Sequence, residues 1–94
     1  MKIYEQFNMN FKVKVGYHEN GQKFHEFWSL NGKLYREDGP AIQWWYSNGQ
    51  KSYEYWYLND KQYSREKWIE RLKEIDSPHY EEQKMLYDAD KYNL

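Results

Sequence analysis

The chain contains an internal repeat with a period of 28 residues. Asn20-Gly21-Gln22-Lys23 returns as Asn48-Gly49-Gln50-Lys51, and 10 of the 16 positions from Asn20 to Tyr35 are identical to those one period later. Repeats of this length are typical of arrays in which each unit is one supersecondary element that needs its neighbour to bury a face. The sequence therefore predicts two copies of one small element, side by side.

Each repeat unit has the pattern of a β-hairpin. Apolar and polar residues alternate from Phe11 to Tyr17, the period of a strand with one buried face. Asn20-Gly21 follows, and both residue types tolerate the positive φ of a two-residue type I′ turn. Residues 22–30 then form the return strand. Strands over 41–46 and 50–58 repeat this arrangement around Asn48-Gly49, and further tight turns are expected at Asn31-Gly32 and Asn59-Asp60.

After residue 63 the hydrophobic period changes from that of a strand to that of a helix. Ser64 suits an N-cap, and Trp68, Ile69, Leu72 and Ile75 share one helical face, which predicts a helix over 65–75. Ser77-Pro78 predicts the start of a second helix, over 78–88.

The predicted fold class is α+β, an antiparallel β-meander of two repeated hairpin units followed by one or two C-terminal helices. We expect one domain over 1–94, with the first unit at 11–36, the second at 41–63 and the helices within 64–94. The segment from Ile3 to Phe7 is predicted as an edge strand.

Aromatic residues make up 21% of the chain. Either rings build most of the core, as in many small β-rich domains, or there are more rings than one small core can bury and some form a binding surface. With two-residue turns, Val13 lies opposite Trp28, Val15 opposite Glu26, Phe11 opposite Leu30 and Tyr17 opposite Phe24, on one apolar face. On the reverse face of the second hairpin, Tyr46 lies opposite Lys51. That reverse face carries an aromatic row: Trp44, Tyr46, Tyr53, Tyr55 and Tyr57.

Two arrangements of the aromatic row are open at this point. The more ordinary one packs the C-terminal helix across it, as in a simple sheet-plus-helix domain. In the other, the row stays exposed as a partner-binding surface, with possible anion-binding lysines at its edge. Rings beside lysines suit either stacked bases and phosphates or an acidic protein surface rich in anchor residues. Those lysines are Lys12, Lys14, Lys23 and Lys51.

Other polar residues carry no catalytic or metal-binding pattern, so we expect no catalytic residues, no metal and no cofactor. His18 and His25 are read as exposed strand residues among lysines. The pair Glu37-Asp38 is expected to cap its own turn. The repeated Glu26 and Glu54 are each expected to accept a hydrogen bond from a Tyr or Lys of the same unit.

The string Trp28-Ser29-Leu30-Asn31-Gly32-Lys33-Leu34-Tyr35-Arg36-Glu37-Asp38-Gly39-Pro40-Ala41 resembles MORN-variant repeats of the toxin–antitoxin and phage type. Residues 56–66 look like the closing copy of such an array, where it ends in a helix. The resemblance covers about residues 17–68. It implies a meander of hairpins, a tailed-phage source and a binding or scaffold role. Small phage proteins of this kind often inhibit a host factor, including defence systems.

The leading functional hypothesis is a non-enzymatic module that binds and blocks a host or bacterial defence protein, as anti-CRISPR proteins do. The first alternative is a sponge that sequesters a nucleotide second messenger. The second is a single-stranded nucleic-acid binder, although the net charge of −1 does not favour it. A mean hydropathy of −1.30 and the lack of a long apolar run predict a cytoplasmic location, in a host cell if phage-encoded, and no membrane partner. A homodimer is possible through open sheet edges.

Overall fold

The computed structural model describes residues 10–92, which form one six-stranded antiparallel sheet and two helices. The strands are β1 (Phe11–Tyr17), β2 (Lys23–Leu30), β3 (Lys33–Leu34), β4 (Ile42–Trp45), β5 (Lys51–Leu58) and β6 (Lys61–Tyr63), and the helices are α1 (Arg65–Glu74) and α2 (Tyr80–Tyr92). The strand order is β1-β2-β4-β5-β6, with β3 beside the end of β2. The predicted α+β meander is confirmed. The strand predicted at Ile3–Phe7 lies outside the described residues.

The two kinds of Asn-containing turn differ in length. Asn31-Gly32 and Asn59-Asp60 are two-residue turns in which all four residues have positive φ, as a type I′ turn requires. The turn at Asn20-Gly21 instead has a three-residue loop, because the His18 amide donates to the Gln22 carbonyl oxygen at 2.8 Å. Here only Gly21 has positive φ. The second copy repeats this bond between Tyr46 and Gln50. The predicted two-residue turns at Asn20-Gly21 and Asn48-Gly49 are therefore wrong.

A β-bulge in each hairpin compensates for the extra loop residue. Gly16 pairs with His25 but Tyr17 pairs with Lys23, so Phe24 has no partner of its own. The predicted pairing of Tyr17 with Phe24 is therefore wrong. Beyond the bulge the predicted register holds, with Phe11, Val13 and Val15 opposite the expected residues of β2.

The bulge of the second hairpin lies 28 residues after the bulge of the first, which is one period of the repeat. Trp44 pairs with Tyr53 and Trp45 with Lys51, which leaves Ser52 as the extra residue. The predicted pairing of Tyr46 with Lys51 is therefore wrong as well. The repeat thus preserves the longer turn and its bulge together, and this combination sets which side chains share a face.

The core lies between α1 and the C-terminal half of β5. Its buried members are Leu58, Trp68, Ile69 and Leu72, and the Trp56 and Trp68 rings lie 6.3 Å apart. Tyr63, the last strand residue, pairs with Trp56, and both side chains pack against the core that α1 supplies on that side of the sheet. The expected packing of the helix across the aromatic row is therefore wrong, because α1 covers the opposite face of the sheet.

The helix bounds differ slightly from the predicted ones. The Ser64 hydroxyl accepts from the Lys67 amide at 3.2 Å, which confirms the predicted N-cap of α1. The second helix begins two residues later than predicted and runs on to Tyr92. Within residues 10–92, no helix is both long and apolar enough to cross a membrane.

Candidate functional site

The sheet face opposite α1, here called the open face, displays side chains from four neighbouring strands. The register aligns Lys14, Phe27, Ile42 and Tyr55 in one row across β1, β2, β4 and β5. An adjacent row runs from Gly16 through His25 and Trp44 to Tyr53. Because opposed residues in an antiparallel pair point to the same side, each row is a continuous strip of surface.

Aromatic rings in contact with one another occupy the centre of the open face. The Trp44 ring lies 5.1 Å from the Phe24 ring and 5.6 Å from the Phe27 ring, centroid to centroid. The His25 ring stacks on Phe27 at 4.8 Å. At β5, the Tyr53 and Tyr55 rings are nearly parallel and 6.2 Å apart. These edge-on and stacked arrangements are the ones that aromatic pairs prefer, so the rings support one another on this face.

A groove of about 630 Å³ runs between these rings. Four of the five predicted partner-binding residues line it, namely Trp44, Tyr46, Tyr53 and Tyr55. Tyr46 and Tyr53 are both more than half exposed, whereas Trp44 and Tyr55 are partly buried. The fifth residue, Tyr57, lies beyond the groove, where its hydroxyl donates to the Gln62 side-chain oxygen at 3.3 Å. The structure thus brings most of the predicted row together.

Sequence reasoning missed five residues that line this groove: His18, Phe24, Trp45, Ser47 and Ser52. Phe24 was expected on the apolar face opposite Tyr17, but the bulge turns it toward Trp44 on the open face. The His18 ring lies beside it, 4.8 Å from the Phe24 ring, centroid to centroid. The one local signal for this outcome is Gly21, since a glycine at the third loop position favours the longer turn.

The four predicted anion-binding lysines are divided between the two faces of the sheet. Lys12 and Lys14 lie on the open face and are exposed. The Lys23 ammonium pairs with Glu26 at 2.9 Å, and the Lys51 ammonium pairs with Glu54 at 2.8 Å, on the other face. The bulges cause this separation, because they place each lysine three residues before its glutamate on the same side. The prediction that all four lysines lie at the edge of the aromatic row is therefore wrong.

Glu26 is the centre of a buried polar network on the helix side. It is 6% exposed and accepts from the Trp28 indole at 2.7 Å, from Lys23 and from the Gln43 amide. Burial by itself would raise its pKa. The hydrogen bonds from Lys23 and Trp28, with the charges of Lys23 and Arg36, outweigh burial and hold the pKa of Glu26 below its ordinary value. The expectation that each repeated glutamate bonds a lysine of its own unit is confirmed.

Glu37 and Asp38 connect the sheet to the helices. Glu37 accepts from the Tyr35 hydroxyl and, at 2.6 Å, from the Ser77 hydroxyl between the helices. Burial and the bond to Glu37 raise the pKa of Tyr35. The Asp38 carboxylate pairs with Arg36 at 2.8 Å. The two carboxylates therefore bind other side chains, and the expectation that they cap their own turn is wrong.

In the first hairpin, His18 contacts a backbone carbonyl oxygen and His25 packs over a glycine. The His18 Nε2 lies 2.9 Å from the Trp45 carbonyl oxygen. The His25 ring covers Gly16 so closely that a Cβ at position 16 would lie 2.4 Å from it. Across the described range 10–92, no group of three or more His, Cys, Asp or Glu residues is placed to hold a metal ion.

Comparison of the chain with protein-family models, with curated proteins and with solved structures finds no match.

Proposed function

We propose that this chain is a non-enzymatic protein-binding module that docks another protein on its open face. The observation that carries the proposal is the groove around Trp44, which residues 10–92 leave uncovered and which exposed Tyr46 and Tyr53 line. Large apolar patches that a fold leaves uncovered mark interaction sites. Tyr and Trp are the residues that contribute most to such interfaces, because they provide a large contact area with few rotatable bonds.

The geometry favours a protein partner over a nucleotide. A phosphate-bearing ligand needs several cations close to the stacking rings. Lys23 and Lys51 are bound to glutamates on the opposite face, and Lys12 and Lys14 lie on β1, away from the groove. The groove itself is lined by rings, hydroxyls and one histidine, which suit an apolar or aromatic anchor side chain of another protein.

The finer part of the proposal rests on the resemblance of residues 17–68 to MORN-variant repeats. The partner is then a host or bacterial defence protein, and the chain is a small phage-encoded inhibitor that blocks it by occupying a surface. The rigid sheet supports this role, because a preorganised aromatic surface loses little entropy when it binds.

The test is capture of proteins from a bacterial lysate by three tagged forms of the chain: wild type, Tyr53→Ala/Tyr55→Ala and Tyr92→Ala/Met85→Ala. Tyr53 and Tyr92 are matched in exposure, at 57% and 62%, but Tyr92 and Met85 lie on α2. We expect a protein that wild type and the α2 variant retain in equal amount and that the open-face variant loses. Retention by all three forms would contradict the proposal.

Because Tyr55 is partly buried, its loss could disturb the fold, so circular dichroism accompanies each variant. Should the double variant unfold, the single change Tyr53→Ala replaces it, since that side chain is mostly in solvent. Inhibition is then tested by adding the purified chain to an activity assay of the captured protein, with Tyr53→Ala as the inactive comparison.

A further inference from the structure

Among the described residues 10–92, the strand positions of the open face carry cations and no carboxylate. At the strand positions of this face within residues 10–92, the ionisable groups other than tyrosine are Lys12, Lys14 and His25. The strand carboxylates Glu26 and Glu54 lie on the opposite face, each bound to its own lysine. A chain with a net charge of −1 therefore presents a locally basic strip along β1, on the same face as its groove.

The strand register sets the distance between the Lys14 position and the groove. Lys14 begins the row that ends at Tyr55, and three strand spacings separate the two positions. At about 4.8 Å per spacing the separation is about 14 Å, the length of about four residues of extended chain. Neither Lys12 nor Lys14 has an ion-pair partner in the part of the chain from 10 to 92.

From this arrangement we infer that the partner docks an acidic segment across the strands, with an apolar anchor in the groove and carboxylates over Lys12 and Lys14. This inference rests on the proposed protein-binding function and adds the chemistry of the partner. Charge complementarity of this kind steers encounter and fixes orientation more than it adds raw affinity. A symmetric pairing of two open faces is disfavoured, because the described strand positions of this face offer no carboxylate to the lysines of a second copy.

The first test measures the affinity of the captured protein for variants that reverse two charges. Lys12→Glu/Lys14→Glu changes the open face, and Lys33→Glu/Lys61→Glu changes the net charge by the same amount at positions opposite Leu30 and Leu58 on the other face. We expect the open-face variant to bind about tenfold more weakly at low salt, and the control within about twofold of wild type. High salt should reduce the difference.

The outcomes separate this inference from the proposed function. Capture that depends on Tyr53 and Tyr55 but not on Lys12, Lys14 or salt would overturn the acidic partner and leave the protein-binding role intact. Concentration-dependent self-association that the Lys12→Glu/Lys14→Glu change abolishes would also overturn it, by making a second copy the occupant.

A second test needs no captured protein. Labelled chain is titrated with a short peptide of glutamates around one tryptophan, with its lysine counterpart and with oligo(dT), and backbone amide shifts are followed by NMR. We expect the glutamate peptide to shift the amides of Lys14, Trp44 and Tyr53, and the lysine peptide to leave them unchanged. Equal shifts with both peptides, no shift with the glutamate peptide, or tighter binding of oligo(dT) would each overturn the inference.

Discussion

The Trp68 indole N–H donates to the Arg36 carbonyl oxygen at 3.0 Å, a bond between residues 32 positions apart. Trp68 is fully buried, and a buried indole N–H needs an acceptor. Arg36 supplies it from the segment that joins the two hairpin units, on the face of Trp56. This bond therefore ties α1 to the segment before β4, on the face of the sheet opposite the groove.

Replacing Trp68 removes the largest side chain of the core. Trp68→Ala should lower the free energy of unfolding by about 3–5 kcal/mol, because it leaves a cavity beside Leu58 and Leu72 and an unpaired carbonyl at Arg36. Urea denaturation followed by circular dichroism measures the change. A loss below about 1 kcal/mol would contradict the described packing of α1.

The two repeated glutamates offer a matched comparison of burial. Glu26→Gln removes a buried carboxylate that accepts bonds from Lys23 and Trp28, and should cost about 1–3 kcal/mol. Glu54→Gln, at the equivalent position, removes a more exposed ion pair with Lys51 and should cost less than about 1 kcal/mol. Denaturation of both variants tests the difference, and equal losses would show that the burial of Glu26 carries no extra stability.

The stability of the protein should also fall in acid because of Glu26. The folded state holds the pKa of this carboxyl below its ordinary value of 4.5, so the unfolded chain binds the proton first as the pH falls. The contribution of Glu26 is complete above that ordinary value and is lost as the pH falls through the lower folded pKa. Thermal unfolding between about pH 3 and pH 6 should show a shallower decline for Glu26→Gln than for wild type. Parallel curves for the two proteins would contradict the lowered pKa.

The close packing of His25 on Gly16 predicts a strong coupling between these residues. Gly16→Ala places a Cβ 2.4 Å from the His25 ring and should cost about 1–3 kcal/mol as the ring is displaced. The same change in a His25→Ala background should be nearly neutral, since the obstacle is gone. A double-mutant cycle by chemical denaturation measures the coupling. Additive losses would mean that the ring does not lie over Gly16.

The strand and helix assignments could be predicted because each depends on residues close in sequence. The strand at Phe11–Tyr17, the Asn31-Gly32 turn and the Ser64 cap follow from local patterns, and the structure confirms all three. The buried face expected for that strand is wrong, because Phe11, Val13 and Tyr17 are exposed among the described residues. The members of the aromatic row were likewise predictable, since a period of two places Trp44, Tyr53 and Tyr55 on one side whatever covers them.

Which face α1 covers was not predictable from these patterns. Both faces of the second hairpin are apolar, so local periodicity gives α1 no preference between them. The packing of Trp68 on Trp56 and its bond to Arg36 hold α1 on one face, and the Trp68–Arg36 bond joins residues far apart in sequence. The loop of three residues and the bulge at Phe24 likewise move Lys23 to Glu26 and leave Lys14 beside the rings. The sequence alone therefore determined the elements and their aromatic faces, whereas only the tertiary structure decided which face stays open, because long-range contacts select between alternatives that local chemistry leaves equal.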